Sequence, residues 1–302
     1  MANALHRLRN GRGENAPLDG FLALADEWIA RAGSADGADW FRGTVRDVVH
    51  ATNDRALGVA IGLASRRLGK ADLALTADDK ARAAALRPGF DPSDWSVDQL
   101  ARVAFMVASH DGDDAAFAAR FDAFCSSAGL NELIALCRGL PIYPGAALIE
   151  PRAREAVRSG MKPVFEAVAH NNPYPGEVFA EDPWNHMVVK ALFICSSLWP
   201  IQELDRRANR RLARMLVDFA HERWAAGRPV SAELWRCVAP YADGDGIAAL
   251  TRAWETGKSK DRLAIALALQ RSAGAAVDLP FREEAVKLHA RLADQIGWRD
   301  IA

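Results

Sequence analysis

The sequence predicts an all-α protein, and three observations predict it. Apolar residues recur at helical spacing in almost every segment. Those segments are closed by short Gly, Pro, Asn or Asp turns. No alternating β-branched run is long enough to read as a strand.

The elements follow in order. "LDGFLALADEWIARAG" puts Phe21, Leu24, Ala25, Trp28 and Ile29 on one face and stops at Gly33. "DRALGVAIGLASRRLGK" is a second apolar helix, with basic residues in its last turn that suit the negative end of the helix dipole. "TADDKARAAALRPG" opens on Thr76, whose side chain is placed to accept an orphan N–H, with Asp79 three residues on. "SVDQLARVAFMVAS" has Ser96 and Gln99 at capping-box spacing. "DDAAFAARFDAFCSSAG" and "LNELIALCRGLP" predict two helices joined by a short Gly turn.

The pattern continues through "EPRAREAVRSG", "KPVFEAVAHN", "DPWNHMVVKALFICSS", "NRRLARMLVDFAHERWAAG" and "SAELWRCVAPYA". "GIAALTRAWETG", "KDRLAIALALQRSAG" and "PFREEAVKLHARLADQIG" complete it. That makes roughly fourteen to sixteen helices. The C-terminal half has the rhythm of stacked helical hairpins, each burying its apolar face on its neighbours. The predicted architecture is therefore an α-solenoid of the HEAT or armadillo kind, with an irregular helical bundle as the alternative. Residues 1–17 read as a flexible N-terminus and 18–302 as a single all-helical domain, since no Pro/Ser-rich linker interrupts them.

Composition narrows the function. Half of the 302 residues are apolar, a quarter are charged, and the formal net charge is −1, so no global field favours nucleic acid. The run Arg206, Arg207, Arg210, Arg211 and Arg214 reads as a solvated helix face, with Glu203, Asp205 and Asp218 nearby. Cys125, Cys137, Cys195 and Cys237 are widely spaced, without C-x-x-C, and read as thiols of a reducing compartment. No run is apolar enough to insert in a membrane, and the N-terminus lacks the apolar core of a signal peptide. The expected location is the cytoplasm. There is no G-x-S-x-G elbow, H-E-x-x-H or Walker lysine loop, so no complete catalytic motif and no cofactor is expected. Trp28, Trp184, Trp224, Trp235 and Trp254 fall at core positions of helices.

The informative stretch is "FEAVAHNNPYPGEVFAEDPWNHMVVKALF", Phe165 to Phe193. Lys162, Glu166 and His170 recur every four residues and share a helix face. Pro173 and Pro175 end that helix by forcing Asn172 and Tyr174 out of helical geometry. Asp182 and Pro183 start the next. Chain reversals use these residue types, but the polar density of Lys162, Glu166, His170, Asn172, Asn185, His186 and Lys190 exceeds what a turn needs. Arg152, Arg154 and Arg158 add positive charge beside it. A groove of this composition suits an anionic or polyol-like metabolite, or an acidic partner segment. An alternative is a divalent-metal or acid/base site. Asp218 and His221 lie at i, i+3 on "DFAHERW" with Glu222 adjacent, and Glu166 with His170 offers a second carboxylate–histidine pair.

"RPGFDPSDWSVDQLAR", "CRGLPIYPG", "PRAREAVRSGMKPVFEAVAHNNPYP", "WNHMVVKALFICSSLWPIQELDRRANRRLARMLVDFAHERWAAGRPVSAELWR" and "DRLAIALALQRS" together resemble the EboA family, over roughly residues 70–275. The resemblance implies a role in moving a secondary-metabolite precursor out of the bacterial cytoplasm, alongside proteins of the same gene cluster. It carries no established catalytic residue, so a non-catalytic protein is the expectation. It places any site at His170, Asn172, Tyr174, Trp184, Asn185 and Lys190, then at Asp205, Asn209, His221, Glu222 and Arg223. The family pattern has Asn-Gln where this chain has Asn185-His186, so His186 stays outside the expected set. With Arg158 and Lys162 added, and with His221 and Glu222 left to the metal alternative, these positions form the candidate ligand-binding residues.

Overall fold

The computed structural model describes residues 16–271, 279–292 and 296–302. Residues 1–15, most of the tail expected to be flexible, lie outside the described residues. Among the described residues the fold is all-α, with no strand and an isolated antiparallel bridge between Asp72 and Ser96. The chain divides into two compact units, Met1–Val178 and Phe179–Ala302.

The described part of the first unit holds α1 (Ala16–Ala32), α2 (Ala35–His50), α3 (Arg55–Leu68), α4 (Ala77–Leu86) and α5 (Val97–Ala108). It continues with α6 (Asp114–Ser127), α7 (Leu130–Arg138), α8 (Ala146–Arg158), α9 (Lys162–Ala169) and α10 (Tyr174–Val178). The predicted face of α1 is buried, with Phe21, Ala25, Trp28 and Ile29 wholly so. The Thr76–Asp79 capping box forms, with Thr76 N donating to Asp79 Oδ2 at 2.8 Å and Asp79 N to Thr76 Oγ1 at 3.2 Å.

The centre of this unit is α5. Every residue in it except Gln99 is buried, because α1, α2, α3 and α7 pack around it. A helix that is apolar all round belongs in the middle of a bundle. In a solenoid each hairpin meets only its sequence neighbours. The packing here is that of an irregular bundle. The polar pair inside α5, Asp98 and Arg102, is buried as an ion pair, and Arg102 Nε also donates to Ile61 O at 3.1 Å.

Two local features differ from the sequence expectation. The helix α2 is not predicted, because two glycines and four β-branched residues obscure its stripe of Phe41, Val45, Val48 and Val49. The helix α8 starts at Ala146, ahead of the predicted Glu150 start, and carries Pro151 inside it. Its entry is set by Gly145 at φ +64°, where an added Cβ would sit 3.1 Å from the Asp114 Cβ.

The described part of the second unit holds α11 (Glu181–Phe193), α12 (Leu204–Arg207), α13 (Arg210–Ala225), α14 (Trp235–Val238) and α15 (Gly244–Thr256). After these come α16 (Ser259–Arg271), α17 (Arg282–Leu292) and α18 (Trp298–Ile301). The predicted "SAELWRCVAPYA" helix is broken into a 3₁₀ turn, the short α14 and a second 3₁₀ turn at Ala239–Tyr241. Pro240 has no N–H with which to continue a helix. The short α14 packs against α12, α13 and α16, so Trp235, Cys237 and Val238 are fully buried.

Candidate functional site

In the first unit, α6, α7 and α8 with the start of α9 enclose an open cleft of about 510 Å³. Arg152, Glu155 and Arg158 rise from α8, Met161 and Val164 close one side, and Cys125 and Leu133 form the apolar wall. The two arginines differ. Arg152 is held by Asp122 at 2.6 Å, Ser126 Oγ at 2.7 Å and Glu155 at 2.9 Å. Arg158, exposed at the last position of α8, makes no ion pair among the described residues. A guanidinium fixed by its neighbours frames the cleft, and one left open can fork onto a carboxylate or phosphate. The Cys125 thiol is pushed well up by burial, with the buried Cys137 beside it adding to the shift, so it is not an activated nucleophile.

Beyond the cleft, Lys162 begins α9 and pairs with Glu166 at 3.6 Å, both side chains partly solvated. His170 is the C-cap of α9, its N–H donating to Glu166 O at 2.9 Å. Asn172 and Tyr174 are buried and engaged with backbone. Asn172 Nδ2 donates to Ala167 O at 3.2 Å, and its Oδ1 accepts from Tyr174 N at 3.0 Å. The Tyr174 hydroxyl donates to Ala146 O at 2.5 Å. Burial, reinforced by Glu150, keeps that phenol far above its ordinary pKa. These two residues clamp the end of α9 to the start of α8, which accounts for part of the polar density at the corner.

In the second unit the conspicuous chemistry runs from α11 to α14. Trp184 is fully buried, and its indole N–H has no hydrogen-bond partner among the described residues. Arg207 lies over its ring at 4.6 Å. Burial, and then Arg206, pull the Arg207 guanidinium below its ordinary pKa. Asn185, fully buried on the next position of α11, exchanges amide hydrogen bonds with Asn209, the N-cap of α13. Asp205 takes a bidentate pair from Arg236, at 2.7 and 2.9 Å. The third nitrogen of Arg236, Nη1, is buried without a partner among the described residues. Three residues away, the buried Glu233 carboxylate accepts from Leu198 N at 3.0 Å and Trp199 N at 2.6 Å. Burial raises its pKa against the pull of those N–H groups. Arg223 Nε donates to Pro229 O at 3.0 Å and pins the turn after α13. Lys190 is half-buried on the last turn of α11.

Asp218, His221 and Glu222 are exposed along α13, with the His221 ring edge-on to Trp224 at 5.5 Å. Among the described residues, no group of three His, Cys, Asp or Glu side chains is arranged to hold a metal ion. Arg207, Glu233 and Arg236 were not singled out as site residues from the sequence. The i, i+3 spacing of Glu233 and Arg236 on "AELWR" was the available signal.

The family model described as "Metabolite traffic protein EboA" matches residues 21–239. The chain belongs to the EboA family. Comparison with the curated proteins and with the solved structures gave no match. The EboA match begins within α1 and takes in every candidate site residue, from Arg158 to Arg223. It ends at Ala239, just after α14, so α15 to α18 lie beyond the EboA match. Among the described residues no helix is long and apolar enough to cross a membrane.

Proposed function

We propose that this EboA-family chain is a non-catalytic cytoplasmic protein of metabolite traffic that holds a small anionic metabolite. The metabolite lies in the cleft beside α8 and is handed on to proteins of the same gene cluster. The observation that carries this reading is the open guanidinium of Arg158 on a cleft of about 510 Å³, a volume suited to a small molecule. Arg152, locked by Asp122, Ser126 and Glu155, supports it by shaping the wall without neutralising Arg158. At the rim, beside the cleft-lining Met161, Lys162 pairs with Glu166 at 3.6 Å. His170, Asn172 and Tyr174 hold the α9 corner that positions that rim, and Asn185, Asn209 and Asp205 brace the second unit.

The test is native mass spectrometry of the chain purified gently from cells carrying the neighbouring genes. The expected result is a stoichiometric organic adduct that is lost in Arg158→Ala, with helicity unchanged by circular dichroism. An adduct that survives Arg158→Ala, or a bound metal ion in its place, overturns the reading.

A further inference from the structure

A second cleft of the first unit lies apart from the Arg158 cleft. It has a volume of about 540 Å³ and is bounded by α2, α3 and the turn between them. Its polar lining is Trp40, Thr44, Asp47, His50, Thr52, Asn53 and Arg55. Asn53 Oδ1 accepts from Arg55 N at 3.0 Å, and none of the other side chains makes a hydrogen bond or ion pair among the described residues. The neighbouring Asp54 does not share this state, because Arg120 Nε holds it at 2.7 Å. Val59 and Leu63 form an apolar wall, with Val59 half exposed. Trp40 is half-buried and fixed in place, its ring edge-on to Phe105 at 5.6 Å.

We propose that this cleft binds a neutral polyhydroxylated ring such as a monosaccharide. The choice of class follows from what the lining rejects. An anion would face Asp47, and a cation would face Arg55; the two charges cancel. A flat apolar ligand would bury Thr44, Asp47 and Thr52 without partners, at a cost of about 1–3 kcal/mol for each polar group. A sugar ring satisfies both halves of the site. Its C–H face packs on the Trp40 indole, and its hydroxyls both donate to Asp47 and accept from Arg55, Thr44 and Thr52. The cleft volume lies within the range of small-molecule sites, roughly 300–1,000 Å³.

The experiment is saturation-transfer NMR on the full chain with D-glucose and D-galactose as probes. Transfer to the ring C–H protons is expected, with affinity weakened about tenfold in Asp47→Ala, a loss near 1.4 kcal/mol. Asp47 is exposed and unpaired, so that variant keeps its fold even if Trp40→Ala, which removes the Phe105 contact, does not. Arg158→Ala is expected to leave sugar binding unchanged, which separates this site from the metabolite cleft. No transfer to either sugar, an unchanged affinity in Asp47→Ala, or displacement of the sugar by inorganic phosphate overturns the proposal.

Discussion

Asn185 and Asn209 hold each other through two side-chain amide hydrogen bonds. Asn185 Nδ2 donates to Asn209 Oδ1 at 3.2 Å, and Asn209 Nδ2 donates back to Asn185 Oδ1 at 2.9 Å. The same Asn209 Oδ1 accepts from Leu212 N at 2.8 Å, so one atom caps α13 and ties it to α11. With Asn185 fully buried, removing its partner leaves an amide without water or protein to bond.

Asn209→Ala is therefore expected to cost about 2–4 kcal/mol, combining a lost cap with an unsatisfied buried amide. Asn185→Ala is expected to cost about 1–3 kcal/mol, since the cap survives. The double variant should fall short of the sum by about 1 kcal/mol or more. Urea denaturation of the three variants measures this. Strict additivity would mean that the pair does not couple the two helices.

Asp79 is the corresponding anchor of the first unit. Burial alone would raise its pKa, but Arg31, Thr76 and Trp28 all donate to it and hold it well below the usual carboxylate range. The Arg31 Nη2 contact is 2.6 Å and the Trp28 Nε1 contact is 2.8 Å. A depressed carboxyl contributes stability that is present above its unfolded pKa and lost as pH falls toward the folded one. Asp79→Asn should remove on the order of 2–4 kcal/mol at neutral pH. It should also flatten the acid limb of the stability curve. An unchanged acid limb would show that another group controls it.

How much of this was legible in the sequence depends on the reach of each interaction. The Thr76–Asp79 box is local, so its spacing announces it. Asn172 was legible as a chain stop, but the bond its Oδ1 accepts from Tyr174 N was not, and it changes the reading from an open polar group to a clamp. The pairing of Asp205 with Arg236 spans 31 residues, and no periodicity encodes it. The central position of α5 was hidden for the same reason. Its all-round apolarity is visible, but a pattern does not say which helices surround it. The Trp40 cleft could not be foreseen, because one of its two helices carries too much glycine and β-branching to be predicted.

Glu233 gives the opposite pH response from Asp79. Burial raises its pKa, although Leu198 and Trp199 donate backbone N–H bonds that pull the other way. A raised carboxyl binds its proton more readily in the folded chain than in the unfolded one. The resulting stability is present at acid pH and is lost as pH rises from the ordinary glutamate range through the folded value. Glu233→Gln removes that titration. The stability of the native chain relative to Glu233→Gln should therefore fall as pH rises through and above the ordinary glutamate range. Urea midpoints of the two chains across that range give the slope. A difference that grows with pH would place the carboxyl below its ordinary value.

The thiols supply the simplest check on burial. Cys195 is exposed, while Cys125, Cys137 and Cys237 are buried. Burial pushes Cys137 and Cys237 up to about 12, against the opposing pull of Arg152 and Arg236 respectively, and raises Cys125 as well. The thiolate is the reactive form, so buried thiols with raised pKa values react only when the chain opens. Ellman's reagent should consume one thiol per native chain quickly and all four after denaturation. In Cys195→Ser the fast phase should vanish. A fast phase that persists in that variant would mean that one of the three core thiols is reached without unfolding. The natural suspect is then Cys125, which lines the Arg158 cleft.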